Sequence, residues 1–122
     1  MKMYLLAFLL LLGMGACTKE GTGGKASVSG TVAHHGKAIP NAVVYIKYGA
    51  KELPGTSADA FDDHATASTP GALYSFEGLK KGYYYLYSVG YDSTIAEVVT
   101  GGIPIVISDK HAALEKDIPV TE

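Results

Sequence analysis

Residues 83–89, YYYLYSV, constrain the fold of this chain more than any other stretch. Aromatic and β-branched side chains fit a pleated, half-buried surface, and seven residues is the length of a strand. Alternation puts Tyr84 and Leu86 on one face and Tyr83, Tyr85 and Tyr87 on the other. Such a strand needs β-structure to cover its apolar face, and further short candidates flank it. They are residues 27–32 (SVSGTV), 42–48 (AVVYIKY), 73–76 (LYSF), 103–107 (IPIVI) and 117–120 (DIPV), with 94–99 (TIAEVV) as an optional addition. Gly, Pro and Asn punctuate the links between them. Pro104 and Pro119 have no N–H for a ladder, so they belong at strand starts, edges or bulges. The one helix-like run, 110–116, is too short to stand alone. Six to eight short strands with frequent turns predict an all-β sandwich of about seven strands in a single small domain.

The N-terminus carries a different signal. Lys2 is followed by an apolar, uncharged run over residues 4–12 and then by Gly13, Gly15 and Ala16. This is the layout of a secretion signal, and the run is too short to span a bilayer. Met14-Gly15-Ala16-Cys17 resembles the lipobox of bacterial lipoproteins, with Met14 where Leu is usual. The resemblance implies a signal peptide over 1–16 and lipidation of Cys17, whose acyl chains partner the lipid bilayer at about 0.8 kcal/mol per buried CH₂. Thr18 follows the cysteine, where Asp is the familiar inner-membrane retention signal, so outer-membrane residence is expected and the leaflet stays open. Residues 17–25, with the Gly-rich TKEGTGGK, read as the lipidated cysteine and a flexible tether, and residues 26–122 as the domain.

Charge narrows the partners. The chain has ten Lys and no Arg against twelve Asp and Glu, and loss of Lys2 with the leader leaves nine Lys. A mildly acidic chain without Arg is not expected to bind nucleic acid. Cys17 is the only cysteine, so no intramolecular disulfide is possible.

Residues 28–32 (VSGTV) and 36–44 (GKAIPNAVV) resemble the opening of carboxypeptidase regulatory-like domains, and Gly71, Tyr74, Phe76, Gly78, Leu79, Gly82 and Tyr84 follow their later Gly-x-Tyr pattern. The resemblance covers most of residues 26–122. It implies a transthyretin-like Greek-key sandwich, related to the B-type repeats of bacterial adhesins. Ser68-Thr69-Pro70-Gly71 replaces the family's Asp-rich turn. Residues 92–108, longer than a simple hairpin needs, resemble tails of small Bacteroidota lipoproteins. Aligned on Gly82, Ser88 falls where isopeptide-forming repeats carry a Glu, so no such bond is expected.

The candidate chemistry is sparse. Tyr83, Tyr85 and Tyr87 form an outer stripe suited to a glycan or an envelope protein, although tyrosine is also simply a good strand residue. Asp62, Asp63 and His64 are the best candidate metal ligands by residue type, yet neighbours in an extended chain point apart, and further ligands from His34, His35 or His111 would be needed. His34 and His35 read as a polar strand end. The Arg-containing site of transthyretin-like hydroxyisourate hydrolases and the His-x-His spacing of intradiol dioxygenases are absent, as are Gly-x-Ser-x-Gly, His-Glu-x-x-His and phosphate-loop motifs. The expectation is a non-catalytic module without a cofactor that binds or scaffolds at the cell envelope. A carbohydrate- or metal-binding module is the alternative, and an unrecognised hydrolase a more distant one.

Overall fold

The computed structural model describes residues 19–122; the expected signal peptide, Cys17 and Thr18 lie outside the described residues. Nine strands are present among the described residues: β1 Thr22–His34, β2 Lys37–Ala38, β3 Val43–Tyr48, β4 Asp63–Thr66, β5 Leu73–Leu79, β6 Gly82–Asp92, β7 Glu97–Ile107, β8 Ala113–Glu115 and β9 Ile118–Pro119. A 3-10 turn at Ala58–Ala60 is the only helical element among the described residues. The fold is an all-β sandwich. In one sheet β1 is the spine, antiparallel to β5 and β2 and parallel to β8 and β9. The other is antiparallel in the order β4-β3-β6-β7.

Period-two alternation builds the core. The inward row of β1 is Ala26, Val28, Gly30 and Val32, and that of β6 is Tyr84, Leu86 and Ser88, all buried. Val44 and Ile46 from β3, Val99, Ile105 and Ile107 from β7, and Ile118 fill the space between the sheets. Ile39 is buried beside the β2–β3 turn, and Leu79 closes one end of the sandwich. Gly78 and Gly82 take the positive φ that the turn between β5 and β6 requires.

Three features differ from the sequence reading. First, residues 97–107 form one strand, because β6 and β7 pair in continuous register from Gly82↔Ile107 to Asp92↔Glu97. Residues 92–108 are therefore a long hairpin arm with a short turn, and not a tail. Pro104 is tolerated in its middle because β7 is an edge strand. Second, the helix-like run contributes β8, parallel to β1. Third, the expected tether is structured from its middle onward, since β1 starts at Thr22. Its glycines serve close approach: a Cβ on Gly24 would lie 2.2 Å from the Leu79 carbonyl oxygen. The buried Tyr84 hydroxyl needs partners, and the Gly21 N–H donates to it at 2.9 Å while it donates to the Lys80 carbonyl at 2.7 Å. Glu20 accepts the Tyr83 N–H at 3.1 Å, a bond that holds its carboxyl below the usual range.

Candidate functional site

The outer face of β6 carries the tyrosine stripe, and the three rings have different fates. Tyr83 is 43 % exposed. Its ring lies beside Lys51, whose Nζ sits 4.4 Å from the ring centroid. Tyr83, Lys51, Pro104, Ile105 and Val106 line a shallow apolar depression of about 320 Å³. Tyr85 is half-buried. Tyr87 is only 8 % exposed, because Phe61 stacks on it in parallel at 5.7 Å and also meets Tyr45 at 5.3 Å. The segment between β3 and β4 thus folds back over the stripe. What stays open narrows from three rings to Tyr83 and the edge of Tyr85.

Asp62, Asp63 and His64 are engaged separately. Asp62 accepts the Tyr48 N–H at 2.7 Å and sits 3.6 Å from Lys47 Nζ. Asp63 accepts the N–H of His64 at 2.8 Å. The His64 ring faces Tyr45, with centroids 6.0 Å apart. The local pairing of β4 with β3 spends these groups on neighbours and leaves them unconverged.

The most organised polar cluster lies where the inward rows of β1 and β6 end. Each row extends one or two positions past its apolar members, to His34 and to Asp92, which are 3 % and 2 % exposed. His34 Nδ1 and Asp92 Oδ2 are 2.8 Å apart. Asp92 Oδ1 accepts from Lys37 Nζ at 2.9 Å, from the Thr94 N–H at 2.9 Å and from the Thr94 hydroxyl at 2.6 Å. These bonds, led by the Thr94 hydroxyl and then His34 and Lys37, hold the Asp92 carboxyl far below the usual carboxylate range. The same carboxylate is the main reason the His34 imidazole is raised above its ordinary value, against the opposing effect of burial.

The other ring nitrogen, Nε2, is buried without a hydrogen-bond partner. Glu122 Oε2 is 3.4 Å from it, an ion-pair distance, and also raises the His34 imidazole. His35 adopts a left-handed conformation, φ 52°, in the turn from β1 to β2. That breaks strand alternation and brings its ring beside that of His34, with centroids 4.2 Å apart. Among the described residues, His34, His35 and Glu122 are the His, Asp or Glu side chains whose ligand atoms converge. Sequence reading treated His34 and His35 as a strand end, counted them as metal ligands only in support of Asp62, Asp63 and His64, and gave Asp92 and Glu122 no role. The usable signal was the alternation itself: Val28, Val32 and His34 share a parity, as do Tyr84, Leu86 and Asp92.

No protein-family model matches the chain, and no curated protein matches its sequence. Among solved structures it is similar to the crystal structure of a putative carbohydrate binding protein from Pseudomonas aeruginosa, with a TM-score of 0.57. The two share 12 % identity, over 87 % of this chain and 93 % of that one. At that identity the likeness shows a shared fold.

Proposed function

We propose that the chain is a non-catalytic binding module of the cell envelope, anchored in a bilayer by acyl chains on Cys17. The observation that carries this reading is the end of the sandwich where the described chain begins. Lys25, Lys80, Lys81 and Lys110 line a depression there with Leu79, and Lys19 precedes it two residues after the cysteine. In a mildly acidic protein this concentration of cations suits anionic headgroups and supplies a second attachment beside the acyl chains. From that end β1 runs 13 residues, roughly 40 Å at about 3.3 Å per residue. In this reading the opposite end, with His34 and Asp92, faces away from the bilayer. The resemblance to carboxypeptidase regulatory-like domains belongs to the same reading, a sandwich that displays surfaces instead of performing chemistry.

Carbohydrate is the ligand class we favour. The name of the similar Pseudomonas protein supports it, and so does the exposed ring of Tyr83 beside its apolar depression, since a sugar ring stacks on such a face. Glycan-array binding of the detergent-purified chain tests this. The expected result is a saturable glycan ligand that Tyr83→Ser combined with Tyr85→Ser loses while the chain stays folded; an array without a ligand refutes it. For the anchor, Cys17→Ser abolishes incorporation of labelled fatty acid, and incorporation that persists in the variant refutes it. Residence in the outer membrane is part of the proposal, and protease shaving of intact cells assigns the leaflet.

A further inference from the structure

We propose that His34, His35 and Glu122 form a binding site for a divalent metal ion of the zinc class, at the end of the sandwich where β1 and β6 finish. One ligand atom from each residue lies within 4.8 Å of the other two. Imidazole nitrogen and carboxylate oxygen are donors that Zn²⁺ takes at about 2.0–2.2 Å, so two of them at a tetrahedral angle stand roughly 3.3–3.5 Å apart. His34 Nε2 and Glu122 Oε2 are 3.4 Å apart.

The second observation is the state of Nε2. It is buried and makes no hydrogen bond, and the Glu122 carboxylate stands 3.4 Å away as its ion-pair partner, so a cation between the two would serve both. Asp92 fixes what it offers. A carboxylate whose oxygens already take the Lys37 and Thr94 donors can only accept from Nδ1, so the neutral ring carries its hydrogen there. The lone pair is then on Nε2, the ring atom that stands 3.4 Å from Glu122 Oε2. A carboxylate that orients the far nitrogen of a histidine is the usual outer support of a metal-bound imidazole. Asp92 and Glu122 both favour a proton on His34, and that proton is the rival cation the metal displaces.

The backbone holds the other two donors in place. The left-handed His35 keeps its ring on the His34 side. Thr121 pairs with Thr100 in both directions at 2.9 Å, and Val120 donates to the Ala33 carbonyl, which fixes the residue that follows. Three protein donors leave a tetrahedral ion one open position. A cavity of about 220 Å³, lined by His34, His35, Lys37, Asp92, Thr94 and Ile95, adjoins it and has room for water or an anionic ligand group. The site uses neither Cys17 nor the tyrosine stripe, so it holds or fails independently of both.

Calorimetric titration of the detergent-purified chain with Zn²⁺, read together with imidazole nitrogen spectra, tests the site. The expected result is one ion per chain, with shifted ring signals for His34 and His35 and unmoved signals for His64 and His111. His35→Ala and Glu122→Gln each weaken binding about tenfold or more, and His64→Ala leaves it unchanged. His35 and Glu122 are exposed, so these variants keep the metal-free melting temperature, which His34→Ala need not. Absence of stoichiometric binding overturns the proposal. So does an affinity that both variants leave intact, or one that His64→Ala lowers equally.

Discussion

The two faces of β6 carry different kinds of information. Its outer positions, Tyr83, Tyr85 and Tyr87, attract attention by composition, yet the segment between β3 and β4 covers one of them and shades another. Its inner positions look like routine core until the row reaches Asp92, where it meets His34 arriving from β1. The conspicuous face is partly a packing surface, and the inconspicuous row ends in the most organised polar cluster among the described residues. The difference teaches that residue type alone ranks sites poorly, because what decides is which side chains the sheet register leaves without a partner.

The largest expected effect breaks the comparison on its inner side. Tyr84 is fully buried, meets Tyr48 edge-on at 5.8 Å and ties the chain at Gly21 and Lys80 to the sandwich. Tyr84→Ala should cost about 3–5 kcal/mol by urea unfolding, a large share of a small domain's stability. A loss below about 1 kcal/mol would reverse the facing assignment of β6. Next comes Tyr87→Ala, which removes the ring stacked on Phe61. It should cost about 2–3 kcal/mol although Tyr87 lies on the outer face. If it costs no more than an exposed tyrosine, Phe61 does not cover the stripe in solution.

The sandwich was legible because its main strands announce themselves by β-branched and aromatic runs, and alternation puts Tyr84 and Leu86 on one shared face, although which face turns inward came only from the resemblance. Residues 22–25 of the expected tether were misread because glycine supplies flexibility in a tether and close approach in a bulged strand, and composition cannot separate these uses. Residues 97–107 were split because Gly101, Gly102 and Pro104 look like breakers, whereas an edge strand accommodates them. The polar end was hidden for another reason. Its members lie at positions 34, 35, 92 and 122, and no local pattern joins them. His35 reaches His34 only because of a left-handed backbone that a residue other than glycine seldom adopts.

A smaller effect sharpens the inner row. Ser88 lies between Leu86 and the polar end, fully buried, and its hydroxyl has no hydrogen-bond partner. Ser88→Ala removes an unpaired polar atom with almost no change in volume, so the variant should be more stable by about 1 kcal/mol. In a domain of this size that raises the melting temperature by roughly 4–8 °C. A variant less stable than the parent would mean that the hydroxyl is satisfied in solution, and that the inner row of β6 is polar by design from Ser88 onward.

The smallest expected effect on stability belongs to Tyr83, and it decides what the outer face is for. The ring is 43 % exposed, and its contact with Lys51 is that of a surface cation over an aromatic face. Such contacts at exposed sites contribute about 0.5–1 kcal/mol. The backbone N–H of Tyr83 donates to Glu20 whatever the side chain is. Tyr83→Ser should therefore lower stability by no more than about 1 kcal/mol, while it strips the aromatic wall from the depression shared with Pro104, Ile105 and Val106. Urea unfolding checks the first half and glycan binding the second. A cost near that of Tyr87→Ala would show that Tyr83 pins the segment carrying Lys51, which would make the whole stripe structural. A small cost together with lost glycan binding separates the two faces of β6 by role: the inner row holds the sandwich together, and the open end of the outer row holds the ligand.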